Sequence, residues 1–310
     1  MSHGKWSGGG DALRPGANET AAESRSPSSD DSSGTALVLG GGGPTGAAWM
    51  AGVLAGLTEA GLDPADSDTV IGTSAGALFG TRLRAGEPPA QLYARQLDGT
   101  DRIDLNVTAG QTLRFLFAAL ATRDSERSAR RLGRAALRAD TVTEAEVLDT
   151  VGRFLRDVRE WPSGRLRLTA VDALTGKVRA FDSESGVPIV TAVAASCAVP
   201  LVWPPVAADS RRWQDGGTRS TAHLGLARGH RDALVVAPIP AAPGPHPDVH
   251  REAAALRASG TAVGLITPDK DSRRAMGRNL TDYRRQSEAA RTGHRQATAA
   301  VPGLRDVLRI

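Results

Sequence analysis

Cysteine is nearly absent from this chain. With Cys197 alone in 310 residues, no intrachain disulfide can form and no thiol pair is available for a redox or metal motif. Aromatic residues are almost as scarce, at 4%, so the core is expected to be packed from small aliphatic side chains between closely approaching elements. Long apolar runs are missing too. No segment approaches the ~20 residues needed to span a bilayer, and Met1 to Asp11 lacks the apolar stretch of a secretory leader. Any membrane contact is therefore expected to be peripheral, and a cytoplasmic setting is expected. Charge of either sign is not in large excess: 38 basic against 34 acidic residues give +4, which does not point to a nucleic-acid partner. Nothing in the composition speaks to oligomeric state.

Residues 1–34 are rich in Gly, Ser, Asp and Glu and hold few bulky apolar residues beyond Trp6 and Leu13. Such a segment cannot offset the entropy of ordering, so a disordered N-terminal tail is expected, followed by one domain over 35–310. In that domain Thr35 to Gly40 reads as a short strand, Gly41 to Gly46 as a glycine loop and Ala47 to Ala60 as an alanine-rich helix. A second strand at Thr69 to Gly72 and a second helix at Ala75 to Ala85 complete a βαβα opening, the signature of a parallel sheet covered by helices. From about Ala90 to Arg159 the pattern is helical, with Leu113, Phe117 and Leu120 on one face, and is expected to cap the site. Thr143 and Glu146 form a capping box. Arg165 to Val171 and Val178 to Phe181 read as a hairpin. Further strands are expected at Ala233 to Ala237 and Ala262 to Ile266, and a charged helix over Ser272 to Ala300.

The chemistry concentrates at Val70-Ile71-Gly72-Thr73-Ser74-Ala75-Gly76. An apolar strand runs into a serine with glycines two residues away on each side, which is how a strained strand-to-helix turn exposes a nucleophilic hydroxyl. Chance GxSxG is common in a chain with 35 glycines, so context decides. Acyl transfer needs donors for an oxyanion, and the Gly40 to Gly46 loop follows a strand and opens a helix, where backbone amides gather at a positive helix end. Gly41, Gly42, Gly43 and Gly46 are the candidate oxyanion-hole residues. Gly41 to Gly46 also fits GxGxxG, but the acidic residue that a dinucleotide fingerprint places at the end of the second strand is missing; a merely structural turn is the other reading. A base is also required. None of the six histidines carries a supporting motif, whereas Asp215 stands in Trp213-Gln214-Asp215-Gly216-Gly217, a carboxylate at a turn whose glycines permit close backbone approach.

An elbow serine, a glycine loop before it and DGG after it resemble the patatin-like phospholipase family over about Thr35 to Leu226. Ala195-Ser196-Cys197-Ala198-Val199-Pro200-Leu201-Val202-Trp203-Pro204-Pro205 extends the likeness between the motifs. The resemblance implies a three-layer α/β/α fold with a mostly parallel central sheet and a helical cap region. It also implies hydrolysis of fatty acyl esters by a Ser74-Asp215 dyad without histidine, with Gly72, Gly76, Gly216 and Gly217 shaping the turns. Lipid esters would be the substrate, and no cofactor or metal is expected. The chain departs from the family in two places. Thr45 stands where Arg or Lys is usual, and Thr218-Arg219-Ser220-Thr221-Ala222-His223 replaces the usual asparagines and proline, which brings His223 near the acid in sequence. A conventional Ser-Asp-His triad and a non-catalytic lipid-binding module on the same fold stay open as alternatives. Cys197 reads as buried filler. The arginines from Arg123 to Arg138, interrupted by Asp124 and Glu126, read first as a solvated helix face, with binding of anionic headgroups as the second reading.

Overall fold

The computed structural model describes residues 34–102, 108–241, 243–246 and 248–308 together with Met1; the expected N-terminal tail, including His3, falls outside these except at its ends. The opening runs as the sequence suggests. Strand β1 (Thr35–Leu39) leads into helix α1 (Gly43–Glu59), and β2 (Thr69–Thr73) into α2 (Ala75–Arg84). Helix α1 begins four residues earlier than expected because Gly42 and Gly43 already turn, and Pro44 sits in the first turn, where it displaces no intrahelical bond. The helical stretch resolves into α3 (Pro89–Asp98), α4 (Ala109–Leu120), α5 (Ser125–Ala136) and α6 (Glu144–Phe154). The Thr143-Glu146 box starts α6, and a second box, Thr108 with Gln111, starts α4.

The hairpin is β3 (Arg165–Asp172) with β4 (Val178–Phe181), followed by α7 (Ile189–Cys197), β5 (Val206–Ala208) and β6 (Arg211–Asp215). Then come β7 (Asp232–Val236), α8 (Val249–Ala258), β8 (Ala262–Ile266), α9 (Lys270–Met276) and α10 (Gln286–Val307). The strands form one sheet in the order β5-β6-β3-β2-β1-β7-β8, with β4 also paired to β3. Strands β3, β2, β1, β7 and β8 are parallel, and β4, β5 and β6 join antiparallel. The architecture is mixed α/β with a mostly parallel central sheet.

Alternation along β1 builds the layers. Leu37 and Leu39 point into a core with α1, α2, α6, α7 and α10, while Ala36 and Val38 point into a second core with α8 and the Leu224–Ala227 turn. Each fully buried Leu or Val there contributes about 1.5–3 kcal/mol. The scarcity of aromatics has its counterpart in how α1 meets α10. A methyl at Gly52 would fall 2.0 Å from the Ala290 carbonyl oxygen, and one at Gly293 2.1 Å from that of Trp49, so the two helices touch backbone to backbone.

Two expectations need correction. The charged C-terminal helix over 272–300 is broken: Gly277 takes φ 72°, ending α9, and the Asn279 and Asp282 side chains cap local turns before α10 starts. The α4 stripe Leu113, Phe117 and Leu120 does not cover the site. It faces solvent, and α4 packs on α5 instead through Ala118, Ala119 and Leu132.

Candidate active site

The elbow forms where β2 ends. Ser74 adopts φ 54°, ψ −117°, a region that costs an L-residue about 1–3 kcal/mol. Both flanking glycines are sterically required. A Cβ at Gly76 would lie 2.0 Å from the Leu39 carbonyl oxygen, and one at Gly72 2.7 Å from the Gly76 carbonyl oxygen and the Ala77 Cα. The strained peptide groups are held from outside the turn. Ser196 Oγ accepts the Ser74 N–H at 3.0 Å, and the Cys197 thiol donates to the Ser74 carbonyl at 3.3 Å. Cys197 is thus buried as expected, but it also bonds the Ser74 backbone. Burial, and then the nearby Asp215 charge, push its thiol pKa well up, so it stays protonated and able to donate.

Asp215 closes β6, and sheet register brings it to the elbow. Thr73 pairs with Thr169 on β3, and the neighbouring Ala170 pairs with Asp215. The Asp215 N–H donates to the Ala198 carbonyl at 2.9 Å, so Ser196, Cys197 and Ala198 at the end of α7 touch both the serine and the acid. Gly216 fits against the sheet where a Cβ would meet Thr169 Oγ1 at 2.5 Å, and the Gly217 N–H donates to Asp215 Oδ1 at 2.7 Å.

The other carboxylate oxygen, Oδ2, is buried without an aligned hydrogen bond; the Ser74 hydroxyl lies beside the carboxyl and favours its ionised form. The residue is 5% exposed, and burial raises its pKa to about 6 against the pull of Ser74 and Gly217.

The glycine loop divides the candidate oxyanion donors. The Gly41 N–H donates to the Thr221 carbonyl at 2.8 Å and the Gly46 N–H to the Gly42 carbonyl at 3.1 Å. Those two amides are used inside the fold and are not free for an oxyanion, which corrects the expectation for Gly41 and Gly46. Gly41 serves differently: its Cα faces Ser74, where a Cβ would come within 3.3 Å of the serine Cβ. The Gly42 and Gly43 amides make no backbone bond of this kind among the described residues and stand at the N-terminus of α1, with Gly43 at φ 57°. Thr45, in place of a basic residue, is buried and anchors the loop, since its N–H donates to the Leu280 carbonyl at 3.0 Å and its hydroxyl to the same oxygen at 3.3 Å.

Ser74 opens onto a pocket of about 640 Å³, part of it open to solvent. Its walls are mostly apolar, including Leu78, Phe79, Phe154, Val199, Val202 and Trp203. Behind Phe79 and Phe154 the buried Arg82 guanidinium bonds Glu87 at 2.6 and 2.7 Å and Asp101 at 2.5 Å; Arg156 adds a 3.0 Å bond to Asp101. The Asp101 charge at the pocket wall is thereby neutralised. No spacing or motif in the sequence marks this network or the role of Ser196. His223, the histidine next in sequence to the acid, is buried with Nε2 donating to the Gly216 carbonyl at 2.9 Å. Burial lowers its pKa to about 4, so it is a neutral prop for the Asp215 turn. Among the described residues there is no cluster of His, Cys, Asp and Glu suited to a metal, and no helix is long and apolar enough to cross a membrane.

The chain resembles the crystal structure of VipD from Legionella pneumophila with 12% identity and TM-score 0.44, over 87% of this chain and 67% of that one. The type III effector ExoU gives 12% identity and TM-score 0.29, over 86% of this chain and 54% of that one. ExoU in complex with SpcU from Pseudomonas aeruginosa gives 16% identity and TM-score 0.33, over 86% and 53%. The chain thus spans about half the length of ExoU. No curated protein sequence matches it. The profile of the patatin-like phospholipases matches residues 37–228, from the first strand past the DGG turn. By that match, the chain belongs to the patatin-like phospholipase family.

Proposed function

We propose that the chain is a serine lipid acyl hydrolase of the phospholipase A, lysophospholipase or esterase type, with its catalytic domain over 35–310 and Ser74 and Asp215 as its dyad. Membership of a phospholipase family supports lipid hydrolysis in general. The observation that carries the dyad is the buried Asp215 carboxyl beside the Ser74 hydroxyl, with a pKa raised to about 6. An ordinary aspartate is too weak a base for an alcohol; one made more basic by burial and still ionised at neutral pH is better matched.

In the proposed reaction Asp215 takes the Ser74 proton as Oγ attacks the ester carbonyl carbon. The oxygen of the tetrahedral intermediate then lies against the Gly42 and Gly43 amides. On collapse the C–O bond to the leaving alcohol breaks, and the proton passes from Asp215 to that alcohol. An acyl-Ser74 remains. Water then gives a proton to Asp215 and attacks the acyl carbon; on collapse the bond from that carbon to Ser74 Oγ breaks, Asp215 returns the proton to Oγ, and a fatty acid is released. The apolar pocket suits an acyl chain. Its Trp203 and Phe79 walls offer no group that would select a charged one.

A fluorophosphonate probe tests this reading. Labelling of the wild type, absent in Ser74→Ala and strongly slowed in Asp215→Asn, is expected. A wild type that resists the probe yet binds lipid tightly would mark a non-catalytic module. Unchanged labelling in Asp215→Asn, with loss in a histidine variant, would restore the triad.

A further inference from the structure

Glu252 is a carboxylate that the proposed reaction does not use. It lies on α8, which packs against the face of the sheet opposite the Ser74 pocket, and it forms no ion pair among the described residues. A half-buried carboxylate without a cation is costly to keep unless donors hold it. Here two do. Glu252 Oε2 accepts the Leu224 N–H at 2.9 Å, and the Ser220 hydroxyl lies beside the same carboxyl and favours its ionised form.

Ser220 and Leu224 hold the end of the stretch in which the chain departs from its family. Ser220 Oγ accepts the Ala222 N–H at 3.2 Å and the His223 N–H at 2.8 Å. With the Leu224 amide on Glu252, three successive amides are tied to this pair, and His223 is turned to φ 53°. Inside the loop lies the Thr221 carbonyl, which accepts the Gly41 N–H at 2.8 Å. The fit there is close, since a Cβ at Gly40 would come within 3.1 Å of the Thr221 oxygen and 3.5 Å of the Ala222 Cβ. From the same loop His223 Nε2 donates to the Gly216 carbonyl at 2.9 Å, next to Asp215.

We infer that Glu252 is a positioning residue for the Ser74 site: through Ser220 and Leu224 it fixes the loop whose Thr221 carbonyl sets where Gly41, and with it the Gly42 and Gly43 amides, stand relative to Ser74. The glycine loop has little slack at this point, because a Cβ at Gly41 would already lie 3.3 Å from the Ser74 Cβ. A shift of the Thr221 carbonyl is therefore passed on to the neighbouring amides. An ionised carboxylate suits the task, since it is an acceptor only and has lone pairs for more than one donor. Its two donors stand on either side of Thr221 in the chain. The inference rests on the proposed roles of Ser74 and of the Gly42 and Gly43 amides, but the brace itself can be read without turnover.

In the full chain, Glu252→Ala should lower kcat for a soluble short-chain p-nitrophenyl ester about tenfold with KM nearly unchanged, since the amides it aims meet the intermediate rather than the bound ester. A trifluoromethyl ketone, whose adduct with Ser74 places an oxyanion on those amides, should lose affinity by about the same factor. Glu252→Gln keeps a carbonyl acceptor for the Leu224 amide and should recover most of the rate, which separates the brace from a general loss of fold. Ser220→Ala should behave as Glu252→Ala does, and the double variant should be little worse than either, because both act through one loop. Hydrogen exchange reads the brace without substrate: the peptide containing Gly41 should lose protection in Glu252→Ala while that of α10 keeps it. Unchanged kcat, unchanged exchange at Gly41, a rise in KM alone or fully additive losses would each overturn the inference. If exchange behaves as expected but the wild type turns over no ester, the brace stands and the hydrolase reading falls.

Discussion

Ser196 Oγ accepts the backbone N–H of Ser74 at 3.0 Å across 122 residues of chain. With the Cys197 thiol on the Ser74 carbonyl, it pins both ends of a residue held at φ 54°. A hydroxyl set beside a carboxylate is useful only if its backbone cannot relax, and these contacts resist relaxation from outside the turn.

Ser196→Ala should therefore leave the Ser74 amide without a partner and destabilise the protein by about 1–3 kcal/mol. Ser196 touches no substrate in this arrangement, so KM for a soluble ester should stay near the wild-type value while kcat falls about tenfold or more, the cost of an angular error at the nucleophile. A rise in KM with unchanged kcat would assign Ser196 to substrate contact instead.

The pH profile should report Asp215. With its carboxyl at about 6, kcat/KM on a neutral soluble ester should rise about tenfold per pH unit below that value and level off above it, since only the ionised form accepts the Ser74 proton. A histidine base would give a similar limb, and His223→Gln separates the two. His223 is neutral, with a pKa lowered to about 4, and is turned to the Gly216 carbonyl. The variant should keep the limb near 6. Its loss would identify His223 as the base.

How far the sequence could be read follows from the range of each interaction. The elbow, the glycine loop and the DGG turn are local steric problems, and small residues at fixed spacing betray them; strands such as Ala262–Ile266 are equally local. The use of Gly41 and Gly46 amides was hidden because Thr221 supplies the acceptor for one of them from 180 residues away. The α4 stripe shows the limit of periodicity, which reveals that Leu113, Phe117 and Leu120 share a face but not whether that face meets protein or water. Helix α7 escapes periodicity because only Thr191 and Ser196 interrupt the apolar run from Ile189 to Cys197 and they mark no polar face, yet it delivers Ser196 and Cys197 to the site.

The buried charges behind the pocket should matter more than any on the surface. Arg82 bonds Glu87 and Asp101 in near-complete burial and lies 4.9 Å from the Phe154 ring centroid. Arg82→Leu leaves Asp101 with Arg156 and Glu87 with Arg95 as their remaining cationic partners and should cost about 3 kcal/mol. Arg153→Ala, which removes an exposed pair with Asp149 at 3.1 Å, should cost less than about 0.5 kcal/mol. Urea midpoints of the two variants, compared at constant slope, check the contrast.

Asp215 should also make the protein less stable than it need be. Its carboxyl titrates at about 6 in the folded chain against 3.8 for the free group. The folded state thus binds this proton more tightly than the unfolded state does. Below 3.8 both states carry the proton and nothing is lost. As pH rises through 6 the folded state must hold a buried anion, and stability falls by about 3 kcal/mol once ionisation is complete. Asp215→Asn removes the charge and can keep the acceptor for the Gly217 amide, while its NH2 group replaces the unbonded Oδ2. The variant should be inactive and more stable than the wild type at pH 8, with the gap closing as pH falls toward 4. Thermal unfolding of both proteins across that range is the measurement. A gap that widened toward acid would mean that the Asp215 anion is stabilised by the fold, and a base of ordinary strength would then have to do the chemistry proposed for it.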